Sequence, residues 1–163
     1  MPLITPEQFQ DLLPLAAVWA EAQETLILQQ GVPLTTAQLE DAQQVGVRQP
    51  EQIRLLSVDK IPLPDHPALR AAAQATQLIS PYASGVTFRY GIFIRAREWG
   101  ERSLIVHELV HTAQYERLGG FEPFLAQYLM ECLTVGYPEA PMEQEAIRVA
   151  REICGESWPA NFE

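Results

Sequence analysis

Cysteine is scarce in this chain of 163 residues: only Cys132 and Cys154 occur, 22 positions apart and outside any C-x-x-C pair. Two free thiols buried as small hydrophobes are expected, rather than a disulfide or a cysteine-held metal. Positive charge is also in short supply. Eleven Lys and Arg stand against 21 Asp and Glu, for a net charge of −10 and a pI of about 4.7. An acidic surface repels phosphate, which argues against a nucleic-acid partner. The opening residues, Met1-Pro2-Leu3-Ile4-Thr5-Pro6-Glu7, lack a basic stretch followed by an apolar run. No segment reaches the roughly 18 apolar residues that span a membrane. A cytoplasmic protein without a membrane partner is therefore expected. Internal repeats and low-complexity tracts are missing as well.

What is present fits a globular chain. The hydrophobic content of 47% supports a core, and residues 1–163 are of a length for one domain. Thr5-Pro6-Glu7-Gln8 combines a Thr cap, a Pro at the first helical position and a Gln placed for a capping box. Phe9, Leu12, Leu13, Ala16, Ala17 and Ala20 continue at helical spacing, with Pro14 expected to kink or divide the helix before Gly31 and Pro33 stop it. A second helix is predicted from Thr35 or Thr36 to near Gly46, completing N-terminal helices over residues 5–46. Ile53 to Val58 suits a short strand. Lys60 to Pro67 holds three prolines in eight residues and must be a loop, followed by an alanine-rich helix from Ala68 to Ile79.

Val86 to Arg95 is rich in β-branched and aromatic residues and predicts one strand with a glycine bulge or two short strands. Trp99-Gly100-Glu101-Arg102 turns into a helix that stops at Gly119-Gly120. Further helices are predicted from about Phe121 to Val135 and from about Pro141 to Ile153, with Gly136-Tyr137-Pro138 between them. The expected class is α+β: mainly helical, with a small sheet just before the helix that starts near Arg102.

That helix contains His107-Glu108-Leu109-Val110-His111, the H-E-x-x-H pattern. Residues four apart share a helix face, so both imidazoles can reach one metal ion. Glu108 points about 100° around the axis, beside the metal, where it can take a proton from water. Leu104, Ile105, Val106, Leu109 and Val110 make the helix apolar on all sides, hence buried. Two buried imidazoles and a carboxylate need partners, which a shared metal supplies. A satisfied core histidine pair is the plainer alternative. The pattern points to a zinc-dependent hydrolase.

Catalytic zinc takes three protein ligands. A metzincin would need Gly at 114 and His at 117, where this chain has Gln114 and Arg117. His66 is the other histidine, in the proline loop, and suits a surface role better than a ligand's. Three downstream glutamates remain: Glu131, 20 residues after His111, and Glu143 and Glu145, 32 and 34 residues after it. Glu143 falls in the first turn of the last helix, where a carboxylate also suits the helix dipole on its own account.

His107-Glu108-Leu109-Val110-His111-Thr112-Ala113-Gln114-Tyr115, then Gly119-Gly120, Phe124-Leu125, Tyr128-Leu129, Tyr137-Pro138 and Glu143-Gln144-Glu145-Ala146, resembles small bacterial gluzincin-like zinc metallopeptidase domains over residues 86–153. The resemblance implies a zincin-like fold. In related gluzincins of the CAAX-prenyl protease group the third ligand is the first Glu of an E-x-x-A segment, which here is Glu143. Glu131 has the spacing of thermolysin-like enzymes but not their N-E-x-x-S-D surroundings. Many gluzincins carry an Asp about one turn beyond the ligand Glu. This chain has Ile147 there, so the residues that orient the histidines are not assigned.

The function implied is peptide-bond hydrolysis of a peptide or protein substrate. Zn2+ sits on His107, His111 and Glu143, and Glu108 acts as general base towards a zinc-activated water. The resemblance also suggests Tyr90 to Ala96 as an edge strand that pairs with extended substrate, with Arg89, Arg95 and Arg97 favouring acidic residues. Tyr115 and Tyr137 are candidate oxyanion donors, though core packing is the commoner role of a buried tyrosine. Two competing readings are a zinc-binding regulatory domain with little hydrolysis and a metal-free helical interaction protein.

Overall fold

Thr5 opens the first helix, α1 (Pro6–Gln30), by the capping box its neighbours forecast. Its hydroxyl accepts from the Gln8 amide at 3.1 Å while the Gln8 side chain accepts from the Thr5 amide at 2.9 Å. The structure, a computed structural model, describes residues 4–75, 83–137 and 139–155. Pro14 does not divide α1. Both Pro14 and Gln10 are exposed, so water can serve the carbonyl that the proline ring leaves without a donor. Phe9, Leu13, Ala16, Ala20 and Ile27 form the buried stripe of α1.

Thr35 repeats the capping box at α2 (Thr36–Gln44). The described residues hold four short strands: β1 (Val32–Pro33), which lies between α1 and α2, β2 (Arg54–Val58), β3 (Gly85–Phe88) and β4 (Gly91–Arg95). They form a mixed sheet in the order β1-β2-β4-β3, parallel between β2 and β4 and antiparallel in the other two pairs. The Val86 to Arg95 run is thus two strands joined by Arg89-Tyr90. β4 lies between β2 and β3 with both edges taken, which corrects the expectation that Tyr90 to Ala96 offers a free edge. The edge next to the H-E-x-x-H helix is β3. Ile92-Phe93-Ile94 is buried throughout, as a strand covered on both faces requires.

The sheet alternates its faces with a period of two. Val86, Phe88 and Phe93 pack on the side of α1. Leu55, Ile92 and Ile94 pack on the side of α2 and α4 (Arg102–Leu118), against Leu104, Ile105 and Leu109. Helix α3 (Pro67–Ala75) closes the α1 side, and α5 (Phe121–Thr134) and α6 (Pro141–Cys154) complete the chain. Residues 76–79 of the predicted alanine-rich helix lie outside the described residues. The class is α+β, mainly helical, with the small sheet before α4. No helix among the described residues is long and apolar enough to cross a membrane. Both cysteines are free thiols; Cys132 is buried and Cys154 half-buried.

The tip of the β3–β4 hairpin is tied down. Arg89 has φ +57°, an uncommon value for a non-glycine residue. Its guanidinium donates twice to the buried Glu24 of α1, both bonds at 2.7 Å, and its carbonyl accepts from Thr112 at 2.5 Å. These bonds tie the hairpin to both α1 and α4.

Candidate metal centre

Helix α4 enters from Gly100, at φ +91°, and ends at Gly119, a left-handed cap at φ +100° whose amide donates to the Tyr115 carbonyl. Every residue from Leu104 to Tyr115 is buried. The all-round apolar character of the helix has this cause: the sheet covers one side and α6 another. His107 and His111, one turn apart, present their rings together with centroids 5.0 Å apart.

Helix α6 brings Glu143 to them. Met142, Ala146, Ile147 and Ala150 make its buried face, and Glu143 lies among them at 2% exposure. Its Oε1 is 2.6 Å from His107 Nε2 and its Oε2 is 3.3 Å from His111 Nε2. Tyr128 of α5 donates its hydroxyl to Oε2 at 2.7 Å. One ligand atom from each of His107, His111 and Glu143 lies within 4.8 Å of the other two.

The charges are strongly coupled. Burial works against a charged imidazolium at His111, yet the carboxylates of Glu143 and, more weakly, Glu108 raise its pKa to about 9. Burial also opposes ionisation of Glu143, but His111 and His107 hold its carboxyl well below the usual range. Tyr128 is raised well above its ordinary value by burial first and the Glu143 charge second, so it stays a donor. Burial and Glu143 together push the Cys132 thiol up to about 12.

Glu108 reaches toward β3. Thr87, on the α4 side of that strand, donates to Glu108 Oε2 at 2.6 Å. Gly85 makes room: a Cβ there would meet Glu108 Cγ and Oε1 at 3.3 Å and the Phe93 carbonyl at 3.1 Å.

The other glutamates have different work. Glu131 accepts from the Met142 amide at 2.8 Å and from Gln127 at 3.1 Å, so it caps the helix that carries Glu143. Glu145 pairs with Arg117 at 2.9 Å and accepts from Gln114 at 2.8 Å. His66 is exposed, and its Nδ1 accepts from the Leu69 amide at the start of α3. Tyr115 is a core residue, stacked on Phe124 at 3.6 Å with its hydroxyl 3.3 Å from the Thr87 carbonyl. Tyr137 is half-buried against the same core. Arg89 is spent on Glu24, and Arg97 lies 3.7 Å from Glu98. Ile147 packs with Val106 and Ala150.

Three side chains that sequence reasoning left without a role touch the site: Thr87, Gln114 and Tyr128. Gln114 Oε1 lies 2.8 Å from His111 Nδ1. Nothing local in the sequence marks the roles of Gln114 and Tyr128, which depend on contacts made only in the folded chain.

Two imidazoles and one carboxylate form a ligand set suited to zinc, with a position left open. Ligands at zinc distances in a tetrahedron sit about 3.3 Å apart. The His111–Glu143 separation of 3.3 Å already matches this, and the 2.6 Å His107–Glu143 contact has to open by about 0.7 Å. With that adjustment the buried group could hold a metal ion. No protein-family model, no curated protein and no solved structure matches this chain.

Proposed function

We propose that this chain is a zinc metallopeptidase with a zincin-like arrangement, cleaving peptide bonds in a peptide or protein substrate. The observation that carries this reading is the meeting of His107, His111 and Glu143 in one buried cluster, one helix position from a carboxylate held separately on β3. The two histidines and Glu143 would hold the ion, and Tyr128 keeps Glu143 in place. Zinc at this position would supply Lewis acidity toward water and the scissile carbonyl.

Glu108 does the proton work. It takes a proton from the attacking water and delivers it to the departing amine nitrogen. Thr87 holds its Oε2, so Oε1 is the atom left to take the proton. Among the described residues the outer edge of β3 has no strand partner. An extended peptide added at the Gly85 end, before the Thr87 carbonyl that Tyr115 occupies, would run beside Glu108. β3, rather than β4, is therefore the strand proposed to bind substrate.

The test is Glu108→Gln. Zinc content should stay at the wild-type level while hydrolysis of a peptide library falls about 100-fold or more. Wild-type protein that carries full zinc and cleaves nothing would contradict the enzyme reading. The direct 2.6 Å contact between His107 and Glu143 favours one other reading, in which the carboxylate itself satisfies the histidine pair and the chain is a metal-free helical interaction protein. Wild-type protein that takes up no zinc would favour it.

A further inference from the structure

We infer that Gln114 is a positioning residue that holds His111 with its Nδ1 protonated and its Nε2 aimed at the Glu143 cluster, backed by Glu145 and Arg117. The inference rests on the metal-site reading for its purpose but not for its geometry. Gln114 is fully buried, at 0% exposure. Its amide nitrogen donates to the Met142 carbonyl at 3.0 Å and to Glu145 Oε1 at 2.8 Å. Both partners accept only, so turning the amide over would set an oxygen against two oxygens. The amide orientation is thereby fixed, and Oε1 must be the atom 2.8 Å from His111 Nδ1.

An amide oxygen only accepts, so Nδ1 carries the proton. In neutral His111 the lone pair then sits on Nε2, the atom 3.3 Å from Glu143 Oε2. Metal-binding histidines commonly donate their second nitrogen to such a partner. Here the partner comes from the same helix, three residues on, in place of the Asp expected near Ile147. Met142 and Glu145 flank Glu143 on the first turns of α6. One side chain therefore orients a ligand on α4 and grips the turn that supplies the ligand on α6. Arg117, 2.9 Å from Glu145, anchors the outer end.

The experiment combines long-range 1H–15N spectra of the histidine rings with a zinc competition titration against a chromophoric chelator. Wild-type protein should show an exchange-protected proton on His111 Nδ1, with or without zinc. Gln114→Leu should lose that protection and bind zinc about 10- to 100-fold more weakly. Should Gln114→Leu not fold, Glu145→Ala, altered at a half-buried position, should show faster Nδ1 proton exchange and a smaller loss of zinc affinity. A His111 protonated only on Nε2, or variants with unchanged proton protection and zinc affinity, would overturn the inference. Wild-type protein that takes up no zinc would sink the metallopeptidase reading, while the Nδ1 proton would still decide the role of Gln114.

Discussion

The hydroxyl of Thr87 lies 2.6 Å from Oε2 of Glu108, across the gap between strand β3 and helix α4. Both residues are buried, and one proton ties the carboxylate to the sheet rather than to the histidines. Thr87→Val keeps the β-branched shape and removes the donor. Losing a hydrogen bond to a buried charged group costs about 1.5–3 kcal/mol of stability. With the carboxylate free to swing, kcat should fall about 10- to 100-fold with zinc content unchanged. Thr87→Ser should recover most of the loss. Peptidase kinetics beside elemental analysis separate these effects; an unchanged kcat in Thr87→Val would rule the tether out.

Gly85 tests the same carboxylate from its other side. Its backbone lies outside the left-handed region, so alanine is conformationally permitted. The new Cβ would press on Glu108 and on the Phe93 carbonyl, which belongs to the sheet and cannot yield. Gly85→Ala should lose about 1–2 kcal/mol and a few degrees of Tm. Its hydrolysis should drop further than that stability change accounts for, with zinc retained. Thermal melts and activity on the same preparation make the comparison.

Tyr90 carries a pH dependence. Its hydroxyl donates to Glu116 at 2.8 Å, and burial followed by that carboxylate raises its pKa from an ordinary 10.0 to about 12. The native state therefore keeps a proton that the unfolded chain releases. The stabilisation is complete below pH 10 and is lost as pH rises from 10 to about 12. Urea unfolding across this range should show falling stability, with a shallower fall in Tyr90→Phe. An identical slope in the variant would dismiss the Tyr90–Glu116 bond as the source.

How much of this was legible depended on how local the cause was. The capping residues Thr5 and Thr35 announced their helices because a cap is made within four residues. The burial of α4 was written in its apolar run. Pro14 does not divide its helix, because a proline signal says nothing of whether the freed carbonyl faces water. β1, two residues including a proline, had no local signature and exists through its pairing with Leu55 and Arg54. The interior place of β4 depends on parallel pairing with Arg54 to Val58, well upstream in the chain. The unbroken apolar run Ile92-Phe93-Ile94 was the clue that it is not an edge. At the site, Glu143 stood out through its sequence context, whereas Glu131 could be recognised as a cap only once α6 was packed beside α5. Gln114 read as the residue that excludes a metzincin; its bonds to Met142 and Glu145 exist only in the folded chain.

The most direct test of the central claim is zinc stoichiometry by elemental analysis of wild type, His107→Ala, Glu143→Ala, Glu131→Ala and Glu145→Ala. Wild type should hold about one zinc per chain, the number one His-His-Glu site accepts. His107→Ala and Glu143→Ala should lose tight zinc, while Glu131→Ala keeps it and Glu145→Ala, which weakens the hold on His111, still binds about one zinc but less tightly. Wild type without zinc, or Glu131→Ala losing zinc while Glu143→Ala retains it, would contradict the account.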